Sequence, residues 1–181
     1  MKSSIVNQRQ QPLIKEYLDA PEKAWIEDYA LVESINFENP LQTTVLLNDE
    51  VQNKYPVGLH RAIGGKHEIA NPGDILCGAL ASCFESTLRM IANRLGVKLL
   101  SSKVKATAYA DVRGTLQIDK SVPVGFQKMK LDITIKATEN TNFNMLKTLI
   151  KASEYSCVVY QTLKRGTPIE TKITILHSMK A

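Results

Sequence analysis

The chain has 181 residues, the usual size of one domain, and 44% of them are apolar, enough to bury a core without disulfides or a metal. Its formal charge is +5, yet Lys and Arg are interleaved with Asp and Glu, and no basic cluster alternates with aromatics as a nucleic-acid groove would require. Cys77, Cys83 and Cys157 form an odd set with no CxxC pair, and residues 1–10 contain no apolar leader, so the expected compartment is the cytoplasm and the expected state of the thiols is reduced. No apolar run is expected to reach the roughly 18 to 20 residues of a membrane span, and no membrane contact is expected.

Residues 1–10 lack periodicity and are expected to be loose. Residues 11–29 predict one short helix through Leu13, Ile14, Tyr17 and Leu18, then a break at Asp19-Ala20-Pro21. This separates an N-terminal extension, residues 1–29, from a main domain over residues 30–181. Trp25 and its apolar neighbours read as a clasp on the sheet or on a partner subunit. From Ala30, β-type runs at 30–37 and 41–48 flank the turn signal Glu38-Asn39-Pro40 and predict two or three antiparallel strands. Residues 55–70 read as a loop with Gly58, Gly64 and Gly65. It is either an anion or substrate wall leading into a helix N-terminus or a plain connection. His60 and His67 lie in it with no carboxylate at ligand spacing, so no metal is expected.

The stretch from Asn71 to Gly96 reads as one long helix. Asn71 suits the N-cap, Pro72 the first turn, Asp74 the positive end of the helix dipole, and Gly96 the left-handed residue that ends it. Gly78, Ser82, Glu85, Arg89 and Asn93 make a narrow polar stripe, which predicts a core helix covered on most sides. Cys83 falls on the apolar flank with Leu76, Leu80, Thr87 and Met90, whereas Cys77 lies on another side and reads as packing. Glu85, two residues after Cys83, points away from it.

Two half-buried strands follow, over 97–112 and 126–137, the second alternating Met129, Leu131, Ile133 and Ile135 against Lys128, Lys130, Asp132, Thr134 and Lys136. A helix over 143–155 has Thr141, Asn142 or Asn144 as its cap. A short helix over 158–164 ends at Gly166 and places Cys157 in its first turn, where free backbone NH groups favour a thiolate. Residues 167–177 alternate Ile169, Ile173 and Ile175 with polar residues and predict a closing strand. The expected class is α+β, with two main helices on curved antiparallel sheet.

Two stretches in this order carry a resemblance: Asn71-Pro72 with Leu76-Cys77-Gly78-Ala79-Leu80-Ala81-Ser82-Cys83-Phe84, and Tyr155-Ser156-Cys157-Val158 with Thr162-Leu163. The sequence resembles the OsmC/Ohr family, the osmotically inducible and organic hydroperoxide resistance proteins. The resemblance implies an intertwined homodimer in which Cys83, as a thiolate, attacks a hydroperoxide and Cys157 resolves the product as a disulfide. It further implies a stress-response antioxidant with no cofactor, whose partners are a small apolar hydroperoxide or ligand and a dithiol reductant. Where the family places a glutamate after the proline, this chain has Gly73, and no arginine lies between Arg9 and Arg61. Arg61, His60 and Asp74 are the candidates to activate Cys83 in their stead, and Arg61→Ala is expected to move the alkylation-versus-pH curve of Cys83.

Two functions therefore stand open. One is a cysteine-dependent peroxidase of organic hydroperoxides. The other is a non-catalytic relative that binds a small apolar ligand or a partner, its cysteines idle or redox-responsive.

Overall fold

The computed structural model describes residues 4–34, 38–48 and 50–175. In chain order it contains α1 (Ile5–Asp19), β1 (Leu31–Val32), β2 (Thr43–Leu46), β3 (Lys54–Val57), α2 (Pro72–Leu95), β4 (Leu99–Tyr109), α3 (Val112–Thr115), β5 (Lys128–Ala137), α4 (Phe143–Ser156) and α5 (Val158–Arg165). β1, β2 and β3 form one antiparallel sheet in that order, and β4 and β5 form a second. The α+β class expected from the pattern is the class observed.

α2 begins and ends where its residues dictate. Asn71 Oδ1 accepts from the backbone NH groups of Gly73 and Asp74 at 2.8 and 3.2 Å, and Asp74 Oδ2 accepts from the Asn71 NH at 3.1 Å. This reciprocal box satisfies the NH groups that an α-helix leaves open. Gly96, at φ 70°, makes the left-handed stop. The buried face, Leu80, Phe84, Thr87, Leu88 and Ala92, rests on β4, α4 and α5. Leu88, Ala92 and Leu149 are the centre of the core, with Ile135 and Ile150 packed around them.

The expectation that α2 is covered on most sides holds for one side within the chain. Ala79, Ser86 and Met90 are exposed. By length and composition alone α2 is also apolar enough to cross a membrane, which the sequence reading did not anticipate. Its Glu85–Arg89 pair, 3.5 Å apart, and its packed face place it as the central helix of the fold.

The β4–β5 hairpin has the alternation expected of it. Val104, Ala106 and Ala108 stand opposite Ile133, Leu131 and Met129, and β5 alternates exposed with half-buried positions along its whole length. Four boundaries differ from expectation. Residues 5–10 are helical because Ser4 caps α1, its Oγ accepting from the Asn7 NH at 3.1 Å, and because α1 docks on α2 through Val6 N and Asn93 Oδ1, 3.2 Å apart. Lys54–Val57 is a strand despite Pro56, since β3 is an edge of its sheet, where a missing NH leaves no gap in the ladder. The expected strand over 30–37 shortens to Leu31–Val32, and residues 35–37 lie outside the described residues. The expected closing strand is absent among residues 167–175, which pair with none of the described strands; residues 176 and 177 lie outside the described residues. Ile169, Ile173 and Ile175 consequently stand exposed, as does Trp25 at 88%, so the expected clasp is not formed among the described residues.

Leu88 is fully buried, so Leu88→Ala removes contacts that the core cannot refill. We expect a loss of about 3 kcal/mol in stability, measured by urea unfolding.

Candidate functional site

α4 must end before α5 can turn away, and Cys157 performs both tasks. Its NH donates to Ser153 O as the last bond of α4, and its Sγ accepts from the Tyr160 NH at 3.5 Å as the N-cap of α5. The sequence placed Cys157 in the first turn of α5; it is the cap itself. The elbow so formed presses on α2. There Cys157 Sγ donates to Cys83 Sγ across 3.4 Å, which is about 1.4 Å beyond a covalent S–S bond. Cys157 is fully buried and Cys83 half-buried, and both thiols are free. The Phe84 and Tyr160 rings, 6.1 Å apart and inclined at 60°, pack α2 to α5 beside the sulfurs.

A cavity of about 680 Å³ lies on this side of α2. Leu76 and Leu80 form part of its wall, seven and three residues before Cys83 on the same helical flank. Leu131 and Ile133 come from β5, Tyr160 and Leu163 from α5. Neither sulfur lines it; the wall nearest them in sequence is Leu80, Glu154 and Tyr160. The sequence reading had not singled out Tyr160, whose signal is only the spacing of Tyr160, Leu163 and Lys164 on a short helix.

The architecture has known counterparts. A family model described as OsmC-like protein matches residues 65–172. The chain belongs to the OsmC-like family. No functionally curated protein matches it in sequence. Among solved structures, an OsmC-like protein of unknown function from Vibrio cholerae aligns with a TM-score of 0.61 at 12% identity, over 76% of this chain and 94% of that one. An organic hydroperoxide resistance protein from Elizabethkingia anophelis gives 0.57 at 18% identity, over 78% and 90%. The organic hydroperoxide resistance protein of Bacillus subtilis gives 0.51 at 15%, over 78% and 92%. At such identities the likeness is one of fold.

In this OsmC-like chain the residues considered as activators of Cys83 are not gathered at it. Asp74 is nine residues before Cys83, half a turn round the helix and about 13 Å along its axis. Asp74 Oδ2 instead accepts from Asn71 Nδ2 at 2.7 Å and pairs with His67 Nε2 at 3.1 Å. The sequence reading gave His67 no carboxylate partner. The loop brings one to it by adopting φ 57° at His67. His60 Nδ1 accepts from the Ala62 NH at 3.1 Å and caps the 3₁₀ turn Arg61–Ile63. Its ring lies 4.8 Å from that of His67. Arg61 is exposed in that turn. His60, His67, Asp74 and Cys77 line a second cavity of about 570 Å³, whose other walls include Lys105, Ala106 and Ala108 of β4. Glu85 points away from the thiols: it accepts from Ser102 Oγ at 2.5 Å and pairs with Arg89.

At the helix start, a Cβ on Gly73 would stand 3.0 Å from Phe126 Cζ. Where the family resemblance places a glutamate, this chain has an aromatic ring lying against bare backbone.

Burial pushes the Cys157 thiol above its ordinary value; the Tyr160 NH opposes this and the bond to Cys83 adds to it. The thiolate that a helix N-terminus favours is therefore outweighed by desolvation. The native state holds the Cys157 proton more firmly than the unfolded chain does. Stability from this source is complete below the ordinary thiol value of 9.0 and is lost as pH rises past it. In a Cys83→Ser variant, iodoacetamide should label Cys157 with a midpoint higher in the native than in the urea-unfolded protein; equal midpoints would remove burial as the cause.

Proposed function

We propose that this OsmC-like protein is a cysteine-dependent peroxidase that reduces organic hydroperoxides, serving as an antioxidant in stress response. The observation that carries the reading is the 3.4 Å approach of Cys83 Sγ and Cys157 Sγ from elements 74 residues apart in the chain. The accessible sulfur, Cys83, attacks the terminal oxygen of a hydroperoxide ROOH. The O–O bond breaks, ROH departs after taking up a proton, and Cys83 becomes a sulfenic acid. Cys157 then attacks the Cys83 sulfur, its thiol proton leaves with the hydroxyl as water, and a disulfide forms. A dithiol reductant restores both thiols by exchange. A buried, protonated Cys157 suits the second role and not the first. In the neighbouring cavity Leu76, Leu80, Leu131, Ile133 and Leu163 suit an alkyl or aryl R group, beside polar walls from Lys128, Lys130, Glu154 and Lys164.

We further propose that the working unit is a homodimer. The chain exposes 14836 Å² of surface. A monomeric globular protein of its 20.2 kDa exposes about 8,800 Å². The open side of α2, the unpaired residues 167–175 and the apolar side chains of residues 5–32 supply surface for a partner to cover. A second copy offers a sheet edge beside which Ile169, Ile173 and Ile175 could pair, as residues 167–175 do with none of the described strands of their own chain. Sedimentation should give twice 20.2 kDa, and removal of residues 167–181 should abolish that species.

One observation favours the non-catalytic alternative: none of the described Arg, Lys or His side chains is hydrogen-bonded to Cys83. The two readings separate in one experiment. The reduced protein is treated with one equivalent of cumene hydroperoxide, quenched by alkylation and mapped by mass spectrometry. A Cys83–Cys157 disulfide is expected within seconds, with none in Cys83→Ser and a dimedone-trappable sulfenic acid in Cys157→Ser. Two free thiols after minutes would rule the peroxidase out and leave a ligand-binding protein.

A further inference from the structure

The cavity that holds His60 and His67 contains neither sulfur of the thiol pair and has polar chemistry of its own. Residues 58–70, which supply Leu59, His60, Ile63 and His67 to its wall, form a closed loop. The Gly58 NH donates to Ala70 O at 3.0 Å, and inside the loop the Gly65 NH donates to His60 O at 3.1 Å. Gly65 crosses so close to Leu59 that a Cβ there would run into the Leu59 carbonyl.

This frame fixes two imidazoles. His60 Nδ1 accepts from the Ala62 NH at 3.1 Å, which assigns the ring proton to Nε2. His67, at φ 57°, places Nε2 3.1 Å from Asp74 Oδ2, and its ring braces that of His60 at 4.8 Å. His60 Nε2–H is thus a positioned donor with no partner among the described residues. From β4 the cavity takes Lys105. The cross-strand neighbour of Lys105 is Asp132, which Lys130 holds at 2.6 Å, and none of the described carboxylates pairs with Lys105. The one acid on the wall, Asp74, already has Asn71 Nδ2 at 2.7 Å and His67. Much of the remaining wall is apolar, including Ala108, Val124 and Phe126.

We propose that this cavity is a second ligand site, for a small monocarboxylate with an apolar body. Lys105 Nζ and His60 Nε2–H hold the carboxylate, and the body rests on the apolar walls. An unpaired cation with a neutral donor matches a single negative charge. A phosphate would bring a second charge beside Asp74. At about 570 Å³ the cavity has the size of a small-molecule site and suits a two-ring aromatic acid. The inference does not rest on the peroxidase reading, whose test is the Cys83–Cys157 disulfide.

The probe is 2-naphthoate, titrated calorimetrically into the reduced full-length protein and compared with 2-naphthalenemethanol, which has the same body and no charge. Naphthoate should bind about tenfold more tightly than the alcohol. Lys105→Met should erase that difference, and Lys105→Arg should keep it. His60→Asp retains an acceptor for the Ala62 NH but puts an acid in place of the donor, and should lose naphthoate binding. The thiols report location: naphthoate should slow the reaction of N-ethylmaleimide with Cys77, which lines this cavity, and leave the rate at Cys83 unchanged. A protein that binds no naphthoate, or binds both probes equally, would overturn the proposal. So would unchanged naphthoate affinity in Lys105→Met or His60→Asp. Protection of Cys83 in place of Cys77 would put the acid in the other cavity and overturn it as well.

Discussion

The seat of the α4–α5 elbow on α2 is the contact on which the rest of the site depends. A chain that ends one helix and starts another within a single residue leaves carbonyl and NH groups open on both sides. Cys157 closes the last turn of α4 through its own NH and offers its sulfur to the first turn of α5. That double role fixes the sulfur in the elbow, and the packing of α4 and α5 on α2, with Phe84 beside Tyr160, holds the elbow. The sulfur-to-sulfur distance is thus set by helix packing rather than by a flexible loop. A disulfide needs the two sulfurs about 1.4 Å closer, and the Cys157 sulfur that would form it is also the cap of α5.

Burial assigns the two sulfurs different work. A fully buried thiol loses more by ionising than a half-exposed one, because a charge in apolar surroundings forfeits its solvation. At Cys157 this outweighs the helix NH groups that favour the thiolate. A buried, protonated thiol is a poor first attacker and a serviceable second one. On the proposed peroxidase reading its partner would come to it as a sulfenic acid already within reach. The half-exposed sulfur on the apolar flank of α2 is the one that an outside molecule can meet.

Residues that act within one element were legible in the sequence, and residues that act across elements mostly were not. Asn71, Asp74 and Gly96 bound α2 because capping is local chemistry. The alternation of Met129, Leu131 and Ile133 announced β5 because a strand with one buried face repeats every two residues. Pro56 hid β3, since nothing local says that a strand will be an edge. Ser4 was overlooked as a cap because the residues after it are polar, and α1 owes its place to α2. The pairing of His67 with Asp74 depends on the path of a glycine-rich loop, which spacing does not encode. Residues 167–175 show the opposite failure. Their alternation reads as a strand, but a pattern cannot supply the edge that a strand must join.

Position 73 lies where the cap of α2, the His67 loop and Phe126 meet. At the start of a capped helix a side chain there points into the space between α2 and the loop that carries Phe126. An acid at that point would put a charge beside the apolar walls and would need a cation to balance it. A glycine removes both needs and leaves room for the Phe126 ring beside the helix start, with Asp74 and His67 as its polar neighbours. The nearest acid, Asp74, then has no obligation toward the thiols and is spent on the cap and on His67. On the proposed peroxidase reading, activation of Cys83 would fall to the neighbouring sulfur, to a group on a second copy, or to the hydroperoxide's own approach. Of these, only the Cys157 sulfur is already in place at hydrogen-bond distance within a single chain.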